Sequence, residues 1–352
     1  MEEITIRLLR DTDIQQVNAL YRKAYHIDRS DEKFRWEFLS GPAGPSIYVV
    51  AVDSNTGKVV GTQCAIPLYV TDNSGRRILT AKSEDTLVDS DYRGRSIFEK
   101  MYDLLFAECR KAAVEAIWGF TYAVKPFRKI GFDIPFSCDF GLAVFDVGGA
   151  YNYFNLLKEK RAFVEKLKIA ALVLASRVRY AINVSSGSID GHTISKDVQT
   201  DLEYLAPRQP GAFFLQLDSA FMDWRLRRNP YPNEHLYYSL ADSAGTRKAV
   251  VICTRTKDVS YIMHMSFAEG LIESTRKKFL GAVMNDMSRK TNVLRFWGFV
   301  HNASGREEIY LLNSSGFIFT NQGISFVWKK LAEASSLNAD NFILSRMASQ
   351  GT

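Results

Sequence analysis

Apolar and polar positions alternate from the start of the chain: Ile4, Ile6 and Leu8 interleave with Thr5 and Arg7, the pattern of a short strand. The period then changes. Ile14, Val17, Leu20 and Tyr21 share one helical face, and Asp11 or Asp13 stands where a helix reaching about Tyr25 would be capped. A second short helix carries Phe34, Trp36 and Phe38. Ile47–Val52 and Val59–Pro67, joined by Asp53-Ser54-Asn55-Thr56-Gly57, read as a hairpin. After a turn at Asp72-Asn73-Ser74-Gly75, a strand runs from Ile78 to about Val88. Ile97, Met101, Leu104, Leu105 and Ala112 recur at helical spacing over about Ser96–Ala113. Ile117–Tyr122 is another strand, and Gly131-Phe132 is expected to begin the last. The order β-α-α-β-β-β-α-β-α-β predicts an α/β (α+β) domain, helices packed on a mixed, mostly antiparallel sheet.

Tyr153–Ala181 holds no Gly or Pro and predicts a helix, and Ser185-Ser186-Gly187-Ser188 then marks a linker. Beyond it the first half repeats faintly. Phe34-Arg35-Trp36-Glu37-Phe38, a Pro/Gly turn, the strand Ile47–Val52 and Asp53-Ser54 are echoed by Met222-Asp223-Trp224-Arg225-Leu226, Pro230 and Pro232, the strand Leu236–Leu240 and Asp242-Ser243. Trp118-Gly119-Phe120 ahead of Gly131-Phe132 is echoed by Trp297-Gly298-Phe299 ahead of Gly316-Phe317. Ordered landmarks shared by both halves predict a tandem repeat. The expected division is 1–150, a helical connector over 151–203, a second domain over 204–335 and a tail over 336–352.

Composition narrows the class. The 352 residues are 46% hydrophobic and 24% charged, ordinary globular usage. A net charge of +6 falls well short of a dedicated nucleic-acid binder. That excess is local: between Tyr153 and Arg179 stand Lys158, Lys160, Arg161, Lys166, Lys168, Arg177 and Arg179 against only Glu159 and Glu165. Cys64, Cys109, Cys138 and Cys253 form no CxxC pair, and the five histidines lack ligand spacing, so neither a metal site nor a disulfide framework is expected. That usage suits a reducing cytoplasm. The acidic, strand-like start is unlike a signal peptide, and the longest apolar run, Ile169–Ala175, is far short of the ~18 residues of a membrane span.

The most informative stretch is Ser83-Glu84-Asp85-Thr86-Leu87-Val88-Asp89-Ser90-Asp91-Tyr92-Arg93-Gly94-Arg95-Ser96-Ile97-Phe98. A strand stops at Val88, a polar loop turns, and a helix begins near Ser96. The first amides of that helix lack intrahelical acceptors. With the helix dipole, Arg93 and Arg95 they form an anion site suited to a pyrophosphate. An ordinary turn with a solvated arginine pair would look the same.

This stretch resembles motif A of the GCN5-related N-acetyltransferases (GNAT superfamily), whose acyl-CoA loop reads Arg/Gln-x-x-Gly-x-Gly/Ala after a strand ending Val-His-Pro-x-Tyr. Arg93 takes the Arg/Gln place, Gly94-Arg95 follow, Ser96 and Phe98 replace the two loop glycines, and Val88 and Tyr92 match. The Ile97-Phe98 ending is similar to a subgroup found with surface-polysaccharide genes. Trp118-Gly119-Phe120 and Phe127-Arg128-Lys129-Ile130-Gly131-Phe132 resemble the family's motif B strand and its Phe-Tyr-x-Lys-x-Gly-Phe helix end. The resemblance covers about residues 4–145 and implies tandem GNAT-like domains.

It also implies the chemistry: an amine attacks the thioester of acetyl-CoA directly, without a metal. Leu87, Val88, Arg93, Gly94, Arg95, Ser96, Ile97 and Phe98 would hold the donor. Glu84 is the implied base, on the face of Thr86 and Val88 if alternation holds, against a purely structural strand carboxylate; Asp85 would face the other way and serve the sheet. Phe127 stands where the family often has its tyrosine acid, which leaves Tyr122, or solvent, to protonate the thiolate; a core-packing role for Tyr122 is equally compatible.

The second half lacks this loop. Ala268-Glu269-Gly270-Leu271-Ile272-Glu273 carries two glutamates that would repel a pyrophosphate, so a degenerate, bracing copy is expected. The acceptor implied is a small primary amine, such as an amino sugar. The alternatives are a longer acyl or acyl-carrier-protein donor, or a non-catalytic acyl-CoA-binding scaffold. The basic segment 153–181 is a solvated helix, a membrane-surface contact or a dock for an acidic acyl carrier protein; its aromatics are too sparse to stack nucleic acid.

Overall fold

A computed structural model describes residues 4–157, 163–183, 188–196, 211–256 and 259–348. The elements begin β1 (Ile4–Leu8), α1 (Ile14–Tyr25), α2 (Asp31–Leu39), β2 (Ile47–Asp53), β3 (Val59–Thr71), β4 (Arg77–Val88), α3 (Ile97–Lys111), β5 (Ala116–Thr121) and α4 (Val124–Lys129). Next come β6 (Ser137–Val144), α5 (Val147–Leu157), α6 (Phe163–Asn183), β7 (Ser188–Ile189), β8 (His192–Ser195), β9 (Phe213–Leu215) and α7 (Ser219–Met222). The last are β10 (Glu234–Ala241), β11 (Arg247–Arg255), β12 (Val259–Phe267), α8 (Glu273–Met287), β13 (Val293–Phe299), α9 (Ala303–Ser314), β14 (Ile318–Lys330) and β15 (Phe342–Ile343). They form two compact units. One comprises Met1–Pro135, Leu215–Tyr231 and Ser325–Phe342; the other comprises Phe136–Phe214, Pro232–Ile324 and Ile343–Thr352.

In the first unit β1 to β4 form an antiparallel meander, β4 runs parallel to β5, and Ser325–Lys330 of β14 closes the far side of β5. Both faces are covered, which is why Ile47–Val52 is apolar throughout rather than alternating. Val49 and Ala51 pack with Ile97, Met101, Tyr102 and Leu105 of α3. Tyr48, Val50 and Val52 pack oppositely with Ile14 and Val17 of α1 and with Phe34 and Phe38 of α2. Ser30 caps α2 by accepting from Lys33 N at 3.2 Å. Asp13 precedes α1 without capping it through its side chain: its carboxylate takes both terminal guanidinium nitrogens of Arg7, at 2.6 and 2.9 Å, and closes the preceding short turn Asp11–Asp13 by accepting the Arg10 amide at 2.8 Å. An ion pair of that geometry outcompetes a cap.

The order of elements repeats along the chain. β10-β11-β12-α8-β13-α9-β14 matches β2-β3-β4-α3-β5-α4-β6, with β12 and β13 parallel as β4 and β5 are. The repeated landmark strands are thus equivalent: Trp118-Gly119-Phe120 lies in β5 and Trp297-Gly298-Phe299 in β13. The fold is the tandem mixed α/β arrangement expected. One element departs from expectation. Gly131-Phe132 is the turn closing α4, with Phe132 in the core, and the strand begins at Ser137. Within the helix expected over 153–181, the described residues Tyr153–Leu157 belong to α5 and Phe163–Ala181 to α6; Lys158, Glu159, Lys160 and Arg161, and Ser185–Gly187 of the expected linker, lie outside the described residues.

No helix among the described residues is long and apolar enough to cross a membrane. All four cysteines are free and buried.

Candidate active site

β4 leaves both neighbours near its end. Its pairing with β5 covers Thr80–Lys82 against Ala116–Trp118 and stops there. Gly119 lets the strands lie so close at the parting, because a Cβ there would sit 3.0 Å from Ser83 O. Against β3 the register slips: Thr62 faces Leu87 and Cys64 faces Glu84, so Gln63 alone opposes Asp85 and Thr86. Asp85 takes up the extra residue at φ +52°, a β-bulge. The bulge is tied down on every side. Thr62 Oγ1 donates to Asp85 O at 2.8 Å, the Thr86 hydroxyl donates to Gln63, Gln63 Nε2 donates to Ser83 Oγ at 3.1 Å, and Ser83 pairs with the Tyr102 hydroxyl at 2.7 Å.

Alternation alone sets Glu84 beside Thr86 and Val88; the bulge overrides it. Glu84 lies opposite Cys64 on the α1/α2 face, Leu87 packs on that same face, and Val88 packs on the α3 face. Asp85 does not point away from Glu84's side either. Its buried carboxylate receives Arg29 Nη2 at 2.9 Å and the Tyr48 hydroxyl, both from the α1/α2 side. After the bulge, the Asp89 amide donates to Val60 O of β3 at 2.8 Å. Alternating amides point oppositely along a strand, so the Val88 N–H is directed toward the side that β5 has left, and the Leu87 N–H toward β3.

The loop beyond is built around a buried acid. Asp89 accepts from Lys23 Nζ at 2.6 Å, Lys58 Nζ at 3.1 Å and the Asp91 amide at 3.2 Å. Burial pushes its carboxyl up, but those bonds prevail and hold it at about 2. Tyr92 anchors the loop by donating to Asp53 at 2.8 Å, and the Arg95 guanidinium stacks 4.9 Å from the Tyr92 ring. Gly94 sits at φ +78° and Ser96 at φ +56°, directly before the first turn of α3. Ser96 therefore occupies a left-handed conformation that glycine adopts more cheaply, and its side chain makes no capping bond. The exposed Arg93 reaches Val88 O at 3.4 Å. It borders a cavity of about 290 Å³ shared by Leu20 and Lys23 of α1 and by Leu87, Val88 and Asp89. Ile97 is in the core, and Phe98 packs on Tyr102 and Phe127, at 4.9 and 5.6 Å between ring centres.

On the α1/α2 face lies a polar cluster around Glu84 and Asp85. Lys82, buried, pairs with Glu84, whose side chain keeps 34% of its exposure. Glu37 of α2 is buried yet forms no hydrogen bond or ion pair among the described residues. Burial first, then the charges of Glu84 and Asp85, push its carboxyl up to about 8. The buried Arg225 lies 5.8 Å from the Trp36 ring, and burial brings its guanidinium down to about 10 despite Glu37. Arg225 is fixed by a reciprocal pair of bonds: Trp36 Nε1 donates to Trp224 O and Trp224 Nε1 to Trp36 O, each at 2.8 Å. These two tryptophans are the repeat landmarks themselves. Glu37 was detectable as the lone acid inside Phe34-Arg35-Trp36-Glu37-Phe38, and Lys82 as a cation within an otherwise buried strand. Tyr122 stands apart, exposed at the end of β5.

The arrangement combines an outward strand amide, a helix N-terminus flanked by arginines, and acids on the opposite face of one strand. It can hold a phosphorylated donor and accept a proton from an incoming nucleophile. Among the described residues no group of three or more His, Cys, Asp or Glu could hold a metal.

Comparison with known proteins matches residues 5–134 to the acetyltransferase (GNAT) domain. No curated protein sequence matches the chain. Among solved structures, a probable N-acyltransferase from Enterococcus faecalis V583 superposes with a TM-score of 0.62 at 12% identity, over 94% of this chain and 73% of that one. Saccharomyces cerevisiae N-myristoyltransferase with bound myristoyl-CoA gives 0.61 at 10% identity, over 97% and 86%. A tandem GNAT protein from the clavulanic acid biosynthesis pathway gives 0.57 at 13% identity, over 95% and 100%.

Proposed function

We propose that this chain, whose residues 5–134 match the acetyltransferase (GNAT) domain and whose fold is the tandem GNAT one, is an acyl-CoA-dependent N-acyltransferase that moves acetyl from acetyl-CoA to a small primary amine, such as an amino sugar. The observation that carries this reading is the end of β4. There a bulge turns the Val88 N–H into the gap left by β5, immediately before the Arg93–Ser96 loop and the α3 N-terminus.

In this reading the amides from Gly94 to Phe98, with Arg93 and Arg95, take the pyrophosphate of the donor. The Val88 N–H polarises the thioester carbonyl, and Leu87 contributes to the cavity wall. The amine approaches from the α1/α2 face, where the part-exposed Glu84 is the acid open to it. Glu84 takes the proton as the amine nitrogen bonds to the carbonyl carbon. The C–S bond then breaks, and Tyr122 or solvent returns a proton to the departing thiolate. Asp85, committed to Arg29 and Tyr48, holds the bulge. The fold shared with a protein that binds myristoyl-CoA supports a longer acyl donor as a second reading.

The test is thiol release from acetyl-CoA against a panel of primary amines and amino sugars. We expect turnover with at least one amine and a loss of roughly 100-fold or more in kcat/KM for Glu84→Gln. Release from palmitoyl-CoA but not acetyl-CoA would select the second reading. Unchanged turnover of Glu84→Gln across pH 6–9 would remove Glu84 as the base.

A further inference from the structure

The solvent side of α6 is apolar where a solvated helix is polar. Phe163, Val164, Leu167, Leu174 and Val178 are 73%, 58%, 55%, 65% and 50% exposed, and Ala171 is exposed beside them. On a helix of 3.6 residues per turn these positions fill one outward arc of roughly 100°. The inward arc is a separate set: Ile169, Val173, Ser176 and Tyr180 are buried. Cations occupy both seams between the arcs, Lys166 and Arg177 along one and Lys168 and Arg179 along the other, and all four are exposed. Against them the helix carries a single acid, Glu165, already paired with Lys168 at 3.1 Å.

An outward apolar stripe bordered on both sides by Lys and Arg is the form of a helix lying in a membrane interface. Its apolar arc enters the acyl boundary while the cations stay at headgroup level. We propose that α6 binds the surface of an anionic lipid bilayer. Charge selects this occupant over a second copy of the chain, which would bring the same cations against themselves. The stripe selects it over an acidic carrier protein, whose charge would meet the seams but leave the apolar arc uncovered. The helix lies on the bilayer and does not span it: every cation on its flanks would otherwise enter the hydrocarbon.

The experiment is co-sedimentation of the full chain with vesicles of phosphatidylcholine alone and of phosphatidylcholine with 30 mol% phosphatidylglycerol, at about physiological and at high salt. We expect binding to the anionic vesicles that weakens with salt. The double variant Leu167→Glu/Leu174→Glu should lose at least roughly tenfold in affinity. Lys166→Gln/Lys168→Gln should lose roughly fivefold per lysine and show a shallower salt dependence. Acetyl-CoA binding and circular dichroism of each variant report folding, and neither should change. Three results would overturn the proposal: no vesicle binding by the wild-type chain, binding that both variants retain, or a concentration-dependent dimer that Leu167→Glu/Leu174→Glu dissolves without any vesicle binding.

Discussion

Glu37 is a buried acid with no hydrogen-bonding partner among the described residues. Its carboxyl titrates at about 8, above the 4.5 of an unperturbed glutamate. A raised acid contributes stability that is fully present below its unfolded pKa and is lost as pH rises through its folded pKa. Glu37→Gln keeps the shape without the titration. The variant should therefore gain in Tm over the wild type progressively between about pH 5 and pH 8.5 in thermal melts at stepped pH; a constant difference would mean that Glu37 is ionised throughout. Ser96 makes an opposite case, strain without charge. At φ +56° it costs roughly 1 kcal/mol relative to glycine. Ser96→Gly should raise unfolding stability in denaturant by about that amount and leave acetyl-CoA affinity equal or higher.

Elements translate these residues into a site. The bulge in β4 and the tryptophan pair both depend on bonds between segments distant in sequence. Trp224→Phe leaves Trp36 O without its donor in a buried setting and should destabilise by about 1–3 kcal/mol in urea titration. The loop sequence Arg93-Gly94-Arg95-Ser96 and the helical spacing of Ile97, Met101 and Leu105 were legible because local signals set them. The bulge was not legible: Glu84-Asp85-Thr86-Leu87 reads as unbroken alternation, and the slip appears only once Gln63 faces two residues. Nor could periodicity assign Arg225 to the site. Its position follows from the non-local pairing of Trp36 with Trp224, although those two residues had already stood out as matching landmarks. The Ser96 conformation lay between: the sequence sets Ser96 where the resembled loop has glycine, and the structure supplies the left-handed φ of +56°.

At the scale of the molecule, one fold occurs twice with different loops. The first unit has Asp89–Ser96 before its helix; the second has Ala268–Ile272, with Glu269 in place of any arginine. The net charge of +6 is unevenly spread, with Lys166, Lys168, Arg177 and Arg179 along the seams of α6, the surface proposed to meet a lipid bilayer. A chain with one complete anion loop should take up one donor molecule. Isothermal titration of acetyl-CoA tests this most directly. The account predicts a stoichiometry of about one per chain, at an affinity in roughly the micromolar range, with binding weakened at least tenfold by Arg93→Glu while the fold persists. Absence of binding, or equal binding by Arg93→Glu, would contradict it.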